Sequence, residues 1–293
     1  MNSSVADTRV PGIVMVKNGL FRVPVRVITY AVLFVGAFLV LLPVFWMVSS
    51  SLKYQSEIFV TPPQWFPNPV RWGNYREALT ILPFGTYFLN TMKIEVGVII
   101  GALISDTLPA YSFARLRWPG RDMVFYVLLS VLMLPSFVTL VPLFVIWSKL
   151  GLVNTFWPLV LPAWFGNPFY IFLVRQFMLT LPIELEDAAR IDGAGFLHTF
   201  VSIILPQLKP VLAVLVISAF MNVWNDFIHP LIYLSNPKNY TIALGLSAFL
   251  DAYSSRWDLL MAASTVTVLP IVIVFLFFQR YFIEGVTLTG IKG

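Results

Sequence analysis

The chain has 293 residues, of which 58% are hydrophobic and 11% charged, with a formal net charge of +5 at pH 7. A soluble domain carries about 25% charged residues to cover its surface, so this chain presents apolar side chains to lipid. Its 19 basic residues are dispersed without a Lys/Arg-rich run, which argues against a nucleic-acid surface. It has no cysteine, so disulfides, thiol catalysis and thiolate metal sites are excluded. His198 and His229 lie too far apart in sequence to suggest a zinc site.

A helix needs about 20 mostly apolar residues to cross the hydrocarbon core. Four charge-free runs meet that length: 27–52, 123–148, 150–174 and 259–279. Two further segments are apolar but interrupted. One follows Lys93 and Glu95 and holds Asp106 towards its far end; the other runs from Pro210 to about Leu234 and contains Asp226. Six spans are therefore expected. The first follows Arg22 and Arg26 as a signal peptide does, but its apolar run is too long and continues into Leu52 and Lys53. It reads as an uncleaved signal anchor.

The connection after the first span, from Ser50 to about Tyr87, is rich in proline and aromatics (Pro62-Pro63-Gln64-Trp65-Phe66-Pro67). Proline biases its neighbours to extended or turn conformations, and Trp and Phe suit the membrane interface. In the second span, Gly97-x-x-x-Gly101 permits close helix packing. The next connection, Arg115-Leu116-Arg117-Trp118-Pro119-Gly120-Arg121, is basic. With the N-terminus inside, inner segments hold 12 of the basic residues and outer ones 7. That bias predicts both termini inside.

Residues 181–195, between the fourth and fifth spans, read as a short amphipathic helix. Pro182 suits a first turn, and Glu184, Glu186 and Asp187 complement the positive end of the dipole. Glu186 and Arg190 are spaced as an i,i+4 pair, and Gly193 is placed to stop the helix. Leu185, Ala188, Ala189 and Asp192 share one face. A surface helix in a loop accounts for these features equally well. The continuation separates the two readings: Phe200, Ile203, Leu205-Pro206 and Pro210.

With that continuation, Glu186, Ala188, Ala189, Asp192, Gly193 and Ala194 resemble the EAA motif of binding-protein-dependent ABC importer permeases. Trp224-Asn225-Asp226-Phe227 with Pro230-Leu231, and the ending Gln279-Arg280-Tyr281-Phe282-Ile283-Glu284-Gly285 with Gly290-Ile291-Lys292-Gly293, resemble its carbohydrate-uptake branch. The whole chain is similar to the smaller, six-span partner of the maltose-type heterodimer. Asp187 departs from the relatives that carry Ala or Glu there.

The resemblance implies an all-α membrane protein with six transmembrane helices, a type I importer permease fold and a cytoplasmic coupling helix. Its parts would be an N-terminal cytoplasmic segment 1–26, a permease domain 27–282 with a coupling loop 179–209, and a C-terminal tail 283–293. Glu186, Ala188, Ala189, Asp192, Gly193 and Ala194 would couple to a cytoplasmic ATPase. The tail residues Gly290, Ile291, Lys292 and Gly293 would contact it too, since 285–293 has no helical periodicity and an extended segment fits a groove. Partners implied are a second homologous permease, two ATPase subunits and a periplasmic or extracellular solute-binding protein. The chain would sit in lipid of the bacterial inner membrane and bind no nucleic acid.

No G-x-x-x-x-G-K-[ST] phosphate loop occurs, so ATP and Mg are expected on the partner ATPase and no cofactor on this chain. Cargo contacts are expected from polar and aromatic residues at mid-membrane depth. Asn222, Trp224, Asn225 and Asp226 offer hydrogen bonds for hydroxyls and an aromatic face for a sugar or oligosaccharide. Asp106, His198 and His229 read as structural, and Lys93 and Arg256 as anion contacts if the cargo is acidic. An ion-coupled secondary transporter would show inverted repeats and charge relays, and a membrane enzyme would show clustered histidines or carboxylates at one face. Neither pattern is found in the sequence.

Overall fold

The computed structural model describes residues 19–252 and 256–290, which form helices and loops. Contact density divides the chain into a unit of residues 1–47 and a unit Val48–Gly293. The first helix, α1 (Gly19–Ser51), runs 33 residues without a break. Its side chains from Val27 to Leu41 are exposed, as a lipid-facing span requires.

The second unit begins with α2 (Gln55–Ile58) and α3 (Gly73–Ile81), followed by the long α4 (Phe84–Arg115). Next come α5 (Arg121–Ser130), α6 (Ser136–Lys149), α7 (Trp157–Val160) and α8 (Pro168–Met178). Then follow α9 (Glu184–Ile191), α10 (Phe196–Thr199), α11 (Leu205–Gln207) and α12 (Lys209–Asn225). The last are α13 (Ile228–Tyr233), α14 (Ile242–Ala252) and α15 (Trp257–Gly290).

Four helical stretches are long and apolar enough to cross a membrane: Arg26–Ser51, Phe84–Arg115, Trp157–Met178 and Trp257–Gln279. Two bent pairs raise the number to six when each counts as one span. Arg121–Met133 meets Phe137–Lys149 at 99°, and Phe196–Gln207 meets Lys209–Asn225 at 79°.

The spans are less regular than their apolar runs suggest. The run 123–148 is broken because Pro135 drives Leu134 to an extended conformation (ψ 123°). The run 150–174 becomes helical only at Trp157, since Gly151 and Asn154 both adopt positive φ and turn the chain. The fifth span, expected to reach Leu234, stops at Asn225; Asp226 is extended and α13 starts afresh. The tail reading changes as well. Residues 285–290 continue α15 as helix rather than an extended strand, and residues 291–293 lie outside the described residues.

Two apolar clusters flank the pair α4 and α12. One gathers Tyr111, Phe113, Tyr170, Val174, Met178 and Leu215. The other gathers Phe84, Tyr87, Phe220, Trp224, Phe249 and Leu259. At the end carrying α2 and α3, polar bonds add to the apolar contacts of Ile58 and Ala78. Asn74, fully buried, donates to the carbonyls of Ser51 and Lys53 at 2.9 and 2.8 Å. Lys53 donates to the Gln64 carbonyl, and burial pushes its ammonium below the ordinary lysine value. Arg256 pairs with Glu77 and with buried Asp258, each at 3.0 Å, which ties α3 to the start of α15.

Candidate functional site

Two places in the fold carry most of the residues singled out by the sequence: the short helix α9 and a cavity between α4, α8 and α12.

Helix α9 ends as its sequence predicts. Gly193 has φ +81°; its N–H donates to Arg190 and that of Ala194 to Ala189, at 3.0 and 2.9 Å. These are the two hydrogen bonds of a glycine-terminated helix, which satisfy carbonyls that would otherwise be orphaned. The start lies later than expected: Glu184 is the first helical residue, and Pro182 precedes it.

Glu186 does not pair with Arg190. Its carboxylate is fully buried and lies 2.8 Å from Arg115 Nε at the end of α4. The same guanidinium donates to the carbonyls of Met178 and Leu181, both at 2.7 Å. Arg190 instead pairs with Asp187 at 3.6 Å. Arg115 prevails because a buried carboxylate without a cation is costly, whereas an exposed i,i+4 pair gains little.

The expected coupling residues therefore divide. Glu186 and Ala189 face inward and fix α9 to the helices beneath it. Ala188, Asp192 and Gly193 are exposed, and Ala194 is half-buried. Around them stand exposed apolar side chains: Leu185, Ile191 at 86% exposure, Phe196 and Leu197. Water-exposed apolar groups beside small residues make a surface suited to a partner.

The cavity between α4, α8 and α12 has a volume of about 550 Å³ and is lined by Asp106, Asn167, Tyr170, Asn222, Asp226 and His229 among others. Its shape follows from a break in the fourth span. Gly166 adopts φ +87°, and a Cβ there would meet Ile171, the Ser105 carbonyl and Asp106 within 4 Å. Only glycine lets the chain turn this close to α4. The turn releases Asn167, whose side chain accepts from the Phe169 N–H at 2.9 Å and starts α8. Asp106 Oδ1 accepts the Asn167 N–H.

Across the cavity, Asn222 donates to the Tyr170 hydroxyl at 3.0 Å. Asp226 accepts from the His229 N–H at 3.2 Å and pairs with its ring at 3.0 Å. Asp226 thus starts α13 and faces the cavity at once.

Trp224 and Asn225 do not join this constellation. Trp224 is 2% exposed, stacks on Phe220 with ring centres 5.4 Å apart, and donates to the Thr267 carbonyl at 3.2 Å. Asn225 donates to Met221 in its own helix. Both border a separate cavity of about 440 Å³ against α14 and α15. Lys93 opens on a third, largely apolar cavity of about 830 Å³ with Trp157 and Trp164. There the Gly97 and Gly101 spacing admits Val160 and Trp164: a Cβ at either glycine would come within 2.8 Å of them. Among the tail residues, Gly290 ends α15, and Ile291, Lys292 and Gly293 lie outside the described residues.

Sequence reasoning missed Asp106, Tyr170 and His229 as cavity residues. A charged residue inside a span was the available signal for Asp106, and Asp226-x-x-His229 had the spacing of one helical turn. Nothing in the sequence marked Tyr170. Among the described residues no three His, Asp or Glu side chains are grouped to hold a metal ion.

Residues 96–287 match the family model described as binding-protein-dependent transport system inner membrane component. The arabinooligosaccharides transport system permease protein AraQ of Halalkalibacterium halodurans is 40% identical over 210 residues, covering 72% of this chain and 75% of that protein. The diacetylchitobiose uptake system permease protein NgcG of Streptomyces coelicolor is 34% identical, covering 86% and 84%. A crystal structure of a bacterial ABC transporter involved in the import of the acidic polysaccharide alginate superimposes with a TM-score of 0.77. It covers 87% of this chain and 95% of the other at 22% identity, a likeness of fold.

Proposed function

Because the chain belongs to the family of binding-protein-dependent transport system inner membrane components, we propose that it is the permease subunit through which an ATP-driven importer carries a sugar or oligosaccharide across the inner membrane. The observation that carries the mechanism is α9: a helix pinned from within by Glu186 and Arg115 while Leu185, Ala188 and Ile191 stay exposed on its outer side among charged residues.

A partner that pushes on the exposed face moves α4 through the buried ion pair rather than bending a loose loop. The partner is a cytoplasmic ATPase subunit, one of two, which binds ATP and Mg. Closure of that pair would drive α9 and the ends of α4 and α8, and so change access to the cavity holding Asn222 and Asp226. A second homologous permease would complete the pathway, and a solute-binding protein would deliver cargo from outside. Both termini lie in the cytoplasm in this reading. Support comes from the basic residues of the connection between α4 and α5, following the positive-inside rule. The final residues, Gly290 to Gly293, are a second contact with the ATPase.

Crosslinking tests the α9 contact. A cysteine at Ile191, in a chain with none of its own, is expected to crosslink to an ATPase subunit through a short bismaleimide, and one at Lys292 likewise. Failure of Ile191→Cys to crosslink in an assembled, ATP-hydrolysing complex would overturn the coupling role of α9.

A further inference from the structure

The connection between α4 and α5 folds around a cavity of about 310 Å³, lined by Arg117, Trp118, Gly120, Arg121, Asp122 and Met123. Its wall is held in place. Trp118 donates to the Ser112 hydroxyl at 3.1 Å, and its ring centre lies 5.8 Å from that of Phe113. Arg121 donates to the Leu116 carbonyl at 3.2 Å and to Asp122 at 2.9 Å. Arg117 is exposed and has no hydrogen bond or ion pair to any described residue. The lining thus sets two guanidinium groups against the one carboxylate of Asp122. A third arginine adds to the positive charge. Arg175 stands over the ring of Phe125, one turn beyond Arg121, at 4.2 Å and donates to the Phe113 carbonyl.

The same connection leads directly into lipid. Met123, Tyr126 and Val127 are exposed and share one face of α5, at spacings of three and four residues. Met123 belongs both to this face and to the cavity. Cationic groups at one end of an apolar stripe match the two parts of a phospholipid. A soluble anion would use the arginines alone, and a cytoplasmic protein would not follow the stripe into the bilayer. The volume lies at the low end of small-ligand pockets, about 300–1,000 Å³, and suits a headgroup better than an oligosaccharide.

We propose that this cavity seats the phosphate headgroup of an anionic phospholipid, with an acyl chain lying along Met123, Tyr126 and Val127. Arg117 supplies the free fork, whose planar guanidinium binds two phosphate oxygens at once where a lysine binds as a point charge. Basic pockets between transmembrane helices bind such headgroups. The inference goes beyond the importer reading and needs only that the chain spans a membrane with this connection at its surface.

The test is photolabelling of the assembled transporter in nanodiscs of phosphatidylcholine. Phosphatidylglycerol or phosphatidylcholine with a diazirine in one acyl chain is the probe, and labelled residues are identified by peptide mass spectrometry. On Met123, Tyr126 and Val127 the phosphatidylglycerol probe is expected to exceed the phosphatidylcholine probe at least about fivefold. Arg117→Gln is expected to lower that ratio about fivefold, the factor equivalent to about 1 kcal/mol per basic residue at an anionic surface. Arg117→Lys is expected to lower it less, and both variants should assemble, since the side chain is exposed. Equal labelling by the two probes in the wild type, or an unchanged ratio in Arg117→Gln, would overturn the proposal. So would loss of the phosphatidylglycerol label on adding inorganic phosphate at constant ionic strength, which would assign the cavity to a soluble anion. A bismaleimide crosslink from Arg117→Cys to an ATPase subunit would assign it to a protein contact and overturn the proposal equally.

Discussion

The carboxylate of Glu186 lies 2.8 Å from Arg115 Nε, with the two side chains 0% and 6% exposed. The acidic residue that opens the α9 motif therefore acts inward, as the joint between α9 and the end of α4. Removing one partner of a buried ion pair costs roughly 3–5 kcal/mol, because the other charge is left uncompensated. Glu186→Gln and Arg115→Met are each expected to lower the melting temperature of the complex and its cargo-stimulated ATPase activity. The double substitution is expected to cost clearly less than the sum of the two. Strict additivity in that double-mutant cycle would dissolve the joint.

Gly193 has φ +81°, yet a Cβ there would meet nothing within 4 Å. The penalty of substitution is thus one of backbone conformation, about 1–2 kcal/mol for an L-residue in the left-handed region. Asn tolerates that region best and a β-branched residue worst. Transport is expected to fall in the order Gly193→Asn, Gly193→Ala, Gly193→Val, and thermal melts of the complex should follow the same order. Equal stability of the Asn and Val variants would show that the helix end does not hold this conformation.

Trp224 and Asn222 sit two positions apart and are expected to fail differently. Trp224→Ala removes a ring that is 2% exposed, a change that costs roughly 3–5 kcal/mol in a packed core. Low yield of folded complex is the expected outcome. Asn222→Ala removes only the bond to Tyr170 at the cavity wall; its complex should assemble normally and show a raised KM for uptake. Normal yield with Trp224→Ala would contradict the packed placement.

Much of the architecture was legible because lipid imposes a length on each apolar run: α1 and α15 cover the runs that predict them, whereas α4 starts at Phe84, ahead of the Lys93 and Glu95 after which its span was expected. The breaks were not legible. The start of α8 at Gly166 and Asn167 depends on Asp106 approaching from α4, far away in sequence. The stop at Asp226 depends on that residue starting α13. The Gly193 end of α9 was legible because its signal is local. The partner of Glu186 was not, since a buried cation from α4 outcompetes the nearer Arg190. The tail misled for a related reason: once α15 is formed, adding helical residues is easier than its alternating pattern suggests.

The proposed membrane orientation rests on the basic connection between α4 and α5. Arg117 is exposed there and is a better probe position than Gly120, whose φ of +82° a side chain would strain. Arg117→Cys is expected to react with an impermeant maleimide only in inverted vesicles. Labelling in right-side-out vesicles would invert the topology.

The central claim is that ATP hydrolysed by a partner drives saccharide through this chain. Its most direct test is uptake into proteoliposomes holding the complete complex, with the solute-binding protein supplied outside and ATP enclosed. Uptake is expected to require both enclosed ATP and the binding protein, and to persist when ionophores collapse every ion gradient. Accumulation that needs no ATP and stops with the ionophores would contradict the account and identify an ion-coupled transporter instead.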